Sequence, residues 1–214
     1  MPDFPVRELK ASDKAWPKLL SQIPDPPKQL YCRGNFSLLN SSCFAVVGTR
    51  KLTSYGKETA QQIVRDLANN GFTVVSGLAL GIDAVAHQTT LDCGGRTIAV
   101  LGGGVGDKSI GPRTNFPLAQ KILENDGLLI SEYSDQESIR AFNFAVRDRI
   151  ISGISMGVLV IEADVESGAL ITASCALDQN RDVFAVPGSV LSPKSAGPNT
   201  LIQNGAKLVM NAYD

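Results

Sequence analysis

From Ser42 onward, short continuous apolar runs alternate with longer stretches in which apolar residues recur every three or four positions. The runs are CFAVVG (43–48), FTVVSG (72–77), TIAVLGGG (97–104), GLLISEY (127–133), GVLVIEA (157–163) and DVFAVPG (182–188). A run that is apolar on both of its alternating faces predicts a strand buried from both sides. Between the runs, SYGKETAQQIVRDLANN (54–70) is amphipathic at helical period and stops at Gly71, which suits a left-handed C-terminal cap. Helices are likewise expected in LALGIDAVAHQTTLDCG, NFPLAQKILENDG, RDRIISG and SGALITASCALDQN, with a short helix and a seventh strand in GPNTLIQNGAKLVM. Strands alternating with helices predict an α/β protein: a doubly wound, mainly parallel sheet with helices on both faces.

Residues 1–41 break this rhythm. Pro2, Pro5, Pro17, Pro24, Pro26 and Pro27 crowd the segment, and proline removes a backbone donor and disfavours helix before it. The expected organisation is a proline-rich N-terminal arm (1–41) packed on one domain (42–214).

In such a sheet, ligands sit beyond the carboxyl ends of the strands, near the point where strand order reverses. The residues at those ends are Gly48-Thr49-Arg50, Ser76-Gly77, Gly102-Gly103-Gly104, Ser131-Glu132, Glu162-Ala163 and Pro187-Gly188, which together predict one shared cleft. At Gly48-Thr49-Arg50-Lys51, glycine admits a ligand to the backbone and Arg50 suits bidentate phosphate binding. Ser76, Gly77 and Gly81 lie in a glycine-containing turn, without the spacing of a dinucleotide fingerprint or the Lys-Ser/Thr of a P-loop. Asp83 and His87, four apart on the next helix, read best as a helix cap and a packed histidine. Gly102–Asp107 reads as a mobile loop ahead of Arg113 and Asn115, a pairing that suits a phosphodiester chain. Ser167, Gly168 and Thr172 open a helix with free amides, an anion nest. Arg147 and Arg149, two apart, cannot share a helix face, so at most one reaches the cleft while the other pairs with Asp148 or Glu132. Glu162 and Glu132, beside arginines, read as structural partners.

Composition narrows the function. The 214 residues carry a net charge of −1 and a pI near 5.9, so any nucleic acid must be held by a local basic patch. No apolar run reaches membrane-spanning length and no secretory signal is evident, so no membrane partner and a cytoplasmic setting are expected. Four separated cysteines and the single His87 predict neither disulfides nor a metal site, and no cofactor or catalytic constellation is called for.

Taken together, GTR (48–50), SGLALGID-x-x-AH (76–87), GG-x-TIAVLG (94–102), LLISEY (128–133), R-x-RIISG (147–153), SGALITA (167–173), RDVFAVPG (181–188) and LIQNGAKLV (201–209) resemble the DNA processing protein A family (DprA, also called Smf). The resemblance implies an extended Rossmann fold that dimerises, binds single-stranded DNA in a basic pocket without catalysis, and helps load the RecA recombinase in natural transformation. It assigns DNA contact to Arg50, and to Arg113 in the loop after a proline. Two departures stand out: Asp148 replaces the asparagine usual between the two arginines, and Gly111 replaces a tyrosine. Two other readings stay open, a nucleotide-binding sensor module and a nucleotide hydrolase like the lysine-decarboxylase-like (LOG) enzymes.

Overall fold

The expected strands and helices form where the patterns place them. The computed structural model describes residues 4–137 and 140–214. Two strands arise in the N-terminal segment, β1 (Arg7–Lys10) and β2 (Gln29–Gly34). The apolar runs give β3 (Cys43–Val47), β4 (Thr73–Ser76), β5 (Thr97–Val100), β6 (Leu128–Ser131), β7 (Gly157–Val160) and β8 (Asp182–Ala185), with β9 at Lys207–Leu208. The helices are α1 (Ser54–Asn69), α2 (Ile82–Asp92), α3 (Phe116–Glu124), α4 (Ala141–Gly153), α5 (Ala169–Asp178) and α6 (Pro193–Gln203).

The strands join one sheet in the order β1-β2-β6-β5-β4-β3-β7-β8-β9. Strands β3 to β9 run parallel, and β2 meets β6 antiparallel. From β3 the chain first winds outward through β4, β5 and β6, then returns to the other side of β3 for β7, β8 and β9. The order therefore reverses between β3 and β7, and that is where a ligand crevice opens.

The two faces of the sheet explain the continuous apolar runs. Ala45, Val47, Val75, Ile98, Val100 and Val158 face a core closed by Ile150 and Ile151 of α4 and by Ala173 and Ala176 of α5. The intervening Val46, Val74 and Leu159 face Ile63, Val64 and Leu67 of α1 and Ile82 and Ala86 of α2. Ala99 and Leu129 face Ala119, Ile122 and Leu123 of α3. Both faces are covered, so neither set of alternating residues is polar. Gly71, just past α1, has φ of 83° and makes the left-handed turn expected of it.

The segment expected to pack as an arm is built into the sheet. Its β1 pairs with β2, and β2 pairs with β6, Cys32 lying opposite Ile130. The prolines account for this placement: Pro17, Pro24, Pro26 and Pro27 fall in the connection, leaving RELK and QLYCRG free of proline and able to pair. Trp16, Leu20 and Ile23 from that connection enter the core beneath α4. Pro2 lies outside the described residues.

The glycine-rich stretch after β5, expected to be a mobile loop, is pinned. The Gly106 amide donates to Asp135 Oδ1 at 2.7 Å, and Arg33 binds Asp107 at 2.5 Å. Gly104 and Gly106 are small because Asp135 occupies the space a side chain would need.

Gly81 is the sharpest backbone constraint near the crevice. It holds φ 80°, ψ −128°, a conformation that L side chains rarely adopt, and a Cβ there would run into the Thr49 carbonyl. Gly81→Ala should lower stability by about 1–3 kcal/mol, read as a reduced midpoint in urea denaturation; an unchanged midpoint would show that this turn is not strained as described.

Candidate nucleic-acid interface

The site begins where β3 and β7 end side by side. The Thr49 amide donates to the Glu162 carbonyl at 2.6 Å, which continues the parallel pairing one step beyond the strands. The Glu162 carboxylate then turns back to α1: Oε2 accepts the Thr53 amide at 2.9 Å and Oε1 accepts the Thr53 hydroxyl at 2.5 Å. Thr53 is itself the N-cap of α1, its side chain accepting the Gly56 amide. Glu162 is 2% exposed, and both of its oxygens are committed to shaping the loop. Gly48 is required by packing: a Cβ would lie 2.6 Å from Ile82 Cγ1 and 2.9 Å from the Glu162 carbonyl.

Above this junction lies a cleft of about 510 Å³. One wall is the loop Gly48–Lys51, with Arg50 and Lys51 exposed, and Arg50 lies 5.9 Å from the centre of the Phe144 ring. The opposite wall is the start of α5, from Ser167 and Gly168 to Thr172. Its amides are not free as expected, since Ala169 donates to the Ser167 hydroxyl at 3.4 Å and Leu170 and Ile171 donate to the Ser167 and Gly168 carbonyls. The wall therefore offers the positive end of a helix rather than open donors. Lys194, at the start of α6, closes a third side and pairs with Asp164 at 2.9 Å. The floor is Arg147 and Asp148 of α4.

Arg147 is 5% exposed and held from several directions. Its Nη1 donates to the Val100 carbonyl at 2.6 Å, its Nε to the Phe144 carbonyl at 3.2 Å, and Asp148 Oδ1 lies 2.9 Å from Nε. The guanidinium lies directly against Gly77, so any side chain at position 77 would displace it. Asp83 accepts the Gly77 and Ala79 amides, as a cap of the turn. Burial pushes the Asp83 carboxyl above its usual range, against the pull of Arg147 and of those amides. Burial likewise raises Asp148 to about 7, opposed by Arg147 and a Thr172 hydrogen bond and assisted by Asp83.

His87 is fully buried, with Nδ1 2.7 Å from the Thr97 hydroxyl. That hydroxyl donates to the Val74 carbonyl, so His87 Nδ1 carries the proton and donates to it. Burial, with Arg147 nearby, lowers the imidazole to about 3, and it stays neutral at ordinary pH. His87 is the packed histidine that the sequence suggested, whereas Asp83 does not cap α2 as expected: it lies inside the first turn of the helix, whose N-cap is Gly81, and caps the preceding loop instead.

Of the residues predicted for the site, Gly48, Thr49, Arg50, Lys51, Arg147, Ser167, Gly168 and Thr172 line the cleft. Ser76, Gly77, Gly81, Arg113, Asn115 and Arg149 do not. The Ser76 hydroxyl is buried against the Val46 carbonyl, Gly77 seats Arg147, and Gly81 makes the strained turn. Asn115 is buried and donates to the Leu78 and Ala79 carbonyls, fixing the turn before α2. Arg113 is exposed outside the cleft, bonded to the Asp107 carbonyl and 4.3 Å from the centre of the Phe116 ring. Arg149 points away from the cleft, bridging Asp25 and Glu132 at 2.9 Å each.

Sequence reasoning missed Lys194 and Phe144. Lys194 follows Ser192-Pro193, a helix-start signal, but it comes well after the end of its strand. Phe144 shares a face with Ala141, Ala145, Asp148 and Ile151, a helical spacing obscured by the buried charges on the same helix. The predicted six-strand cleft is narrower: the ends of β5, β6 and β8 do not line it.

The sequence profile of the family described as DNA recombination-mediator protein A matches residues 8–214. The chain belongs to that family. It is 40% identical over 210 residues to the DNA processing protein DprA of Bacillus subtilis, covering 98% of this chain and 70% of the relative. Among solved structures, DNA processing protein A of Streptococcus pneumoniae superposes with a TM-score of 0.91 at 42% identity, covering 98% of this chain and 72% of that one. The Helicobacter pylori protein, whose structure is described for its single-stranded DNA binding mode, superposes with a TM-score of 0.85 at 32% identity over 98% of this chain and 93% of that one. Glu162 and Glu132 are both held by structural bonds, the roles expected of them from the sequence. Among the described residues no helix is long and apolar enough to cross a membrane.

Glu162→Ala strands the Thr53 amide and hydroxyl. It should cost about 1.5–3 kcal/mol, with the effect seen first as faster amide exchange across Gly48–Gly56. Protection in that loop equal to the parent chain would refute the tethering role.

Proposed function

We propose that the cleft holds the phosphate backbone of single-stranded DNA, and that the chain serves as the DNA-gripping core of a recombination mediator. The observation that carries this is the pair Arg50 and Lys51, exposed on a loop held by Glu162 and facing the N-terminal end of α5 across the cleft. Phosphates are bound by such an arrangement of cations and helix N-terminus without any base being read. The single-stranded DNA binding mode described for the Helicobacter pylori relative supports the choice of ligand. Arg113, beyond the cleft, extends the track along the surface on this reading. The family resemblance supports a finer reading, in which the chain acts as a cytoplasmic homodimer that protects incoming strands and passes them to the RecA recombinase.

Fluorescence anisotropy with a labelled oligothymidylate tests the reading. Arg50→Ala combined with Lys51→Ala should weaken binding at least tenfold. It should also flatten the salt dependence by about 0.7 in log K per log salt for each phosphate that the variant no longer neutralises. Arg113→Ala should weaken binding less. Binding by the double variant at the parent's affinity and salt slope would remove the cleft from consideration.

A further inference from the structure

We propose that Asp148 takes up a proton as the phosphate backbone enters the cleft, so that strand binding is coupled to protonation. This rests on the reading of the cleft as the DNA site.

The geometry places a carboxylate where an anion must approach. Asp148 lies in the cleft floor, 7% exposed, and its nearest cation, Arg147, is shared with a second buried acid, Asp83. One guanidinium between two carboxylates leaves this buried trio with a formal charge of −1. Among the described lining residues of the whole cleft, four cations (Arg50, Lys51, Arg147, Lys194) face four acids (Asp83, Asp148, Asp164, Glu166), a formal charge of zero. A cleft of that balance attracts a polyanion weakly until one acid is neutralised.

Asp148 is the acid best placed to be neutralised. Asp164 pairs with Lys194, and Glu166 lies at the exposed mouth. Asp83 is engaged by two backbone amides on the far side of Arg147. The Asp148 carboxyl is already raised to about 7, and an incoming phosphate is one more negative charge that raises it further. Hydrogen bonding acts in the same direction: a protonated Asp148 is a donor as well as an acceptor and can face a phosphate oxygen, which an ionised one cannot.

Asp83 is the group most closely coupled to Asp148: burial raises its carboxyl as well, and the two acids share Arg147. On α2, His87 is held neutral, lowered to about 3. On α5, Thr172 does not titrate, and the Cys175 thiol is pushed above its usual 9.0 by burial and by Asp148 itself. On α4, Arg147 pairs with Asp148 itself and Arg149 is turned away to Asp25 and Glu132. The loop cations Arg50, Lys51 and Lys194 and the acids Asp164 and Glu166 complete the surroundings.

Isothermal titration calorimetry tests the coupling with the full chain at pH 7.5. The probe is an oligothymidylate lacking terminal phosphates, because a phosphomonoester titrates near pH 6. Runs in buffers of differing ionisation enthalpy give the protons taken up. The expected result is uptake of a few tenths to one proton, and an affinity that falls by up to tenfold per pH unit above 7. In Asp148→Asn, checked for folding by circular dichroism, the buffer dependence should vanish and affinity at pH 8 should equal or exceed the parent's. Parent binding with no buffer dependence, or uptake that survives in Asp148→Asn, would overturn the role of Asp148 while leaving the cleft as the DNA site. Failure of the parent chain to bind the oligonucleotide would instead remove the reading on which this inference stands, and the inference with it.

Discussion

Where β3 and β7 lie side by side, the Thr49 amide donates to the Glu162 carbonyl and the Glu162 carboxylate takes both the amide and the hydroxyl of Thr53. The rest of the site depends on this junction. It fixes the loop that carries Arg50 and Lys51, it caps the start of α1, and it stands where the strand order reverses between β3 and β7. A buried acid with two hydrogen-bonded oxygens is costly to disturb, because removing it leaves partners unsatisfied. The exposed cations therefore stand on a loop tied down by buried hydrogen bonds, and on the proposed reading a phosphate chain would meet a preformed surface rather than one ordered on contact.

The second organising element is the buried arginine. Arg147 is tied to the Val100 and Phe144 carbonyls and set against Gly77, so it links α4, β5 and the turn after β4 beneath the cleft. Its two carboxylate neighbours leave the interior slightly acidic while the exposed rim carries Arg50 and Lys51. That arrangement explains how a chain of net charge −1 offers a site for an anion: the cations are concentrated at one mouth and the acids lie beneath or beside them.

Much of this was legible in the sequence. The doubly wound sheet followed from uninterrupted apolar runs such as CFAVV and GVLV, because only strands covered on both faces lose their polar alternation. Gly71 and His87 took the roles their spacing suggested, while Asp83 caps the loop before its helix rather than the helix. The N-terminal strands were hidden because the prolines of the segment dominate its composition, although they fall between RELK and QLYCRG rather than in them. In the site, local signals located the loop at Gly48–Lys51 and the start of α5, both of which are strand-to-helix turns. They failed for Gly77, Gly81 and Asn115, whose purpose is set by contacts distant in sequence: Arg147, the Thr49 carbonyl, and the Leu78 and Ala79 carbonyls. A glycine that makes room for the protein's own arginine cannot be told from one that makes room for a ligand until the arginine is placed.

The most direct measurement of the central claim is amide hydrogen exchange of the chain with and without a saturating oligothymidylate. The account predicts added protection at residues 48–53 and 167–172, flanking the switch-point cleft, with little change at the β1 edge. Protection confined to the β1–β2 edge or to the surface around residues 107–113, with none at the cleft, would contradict it.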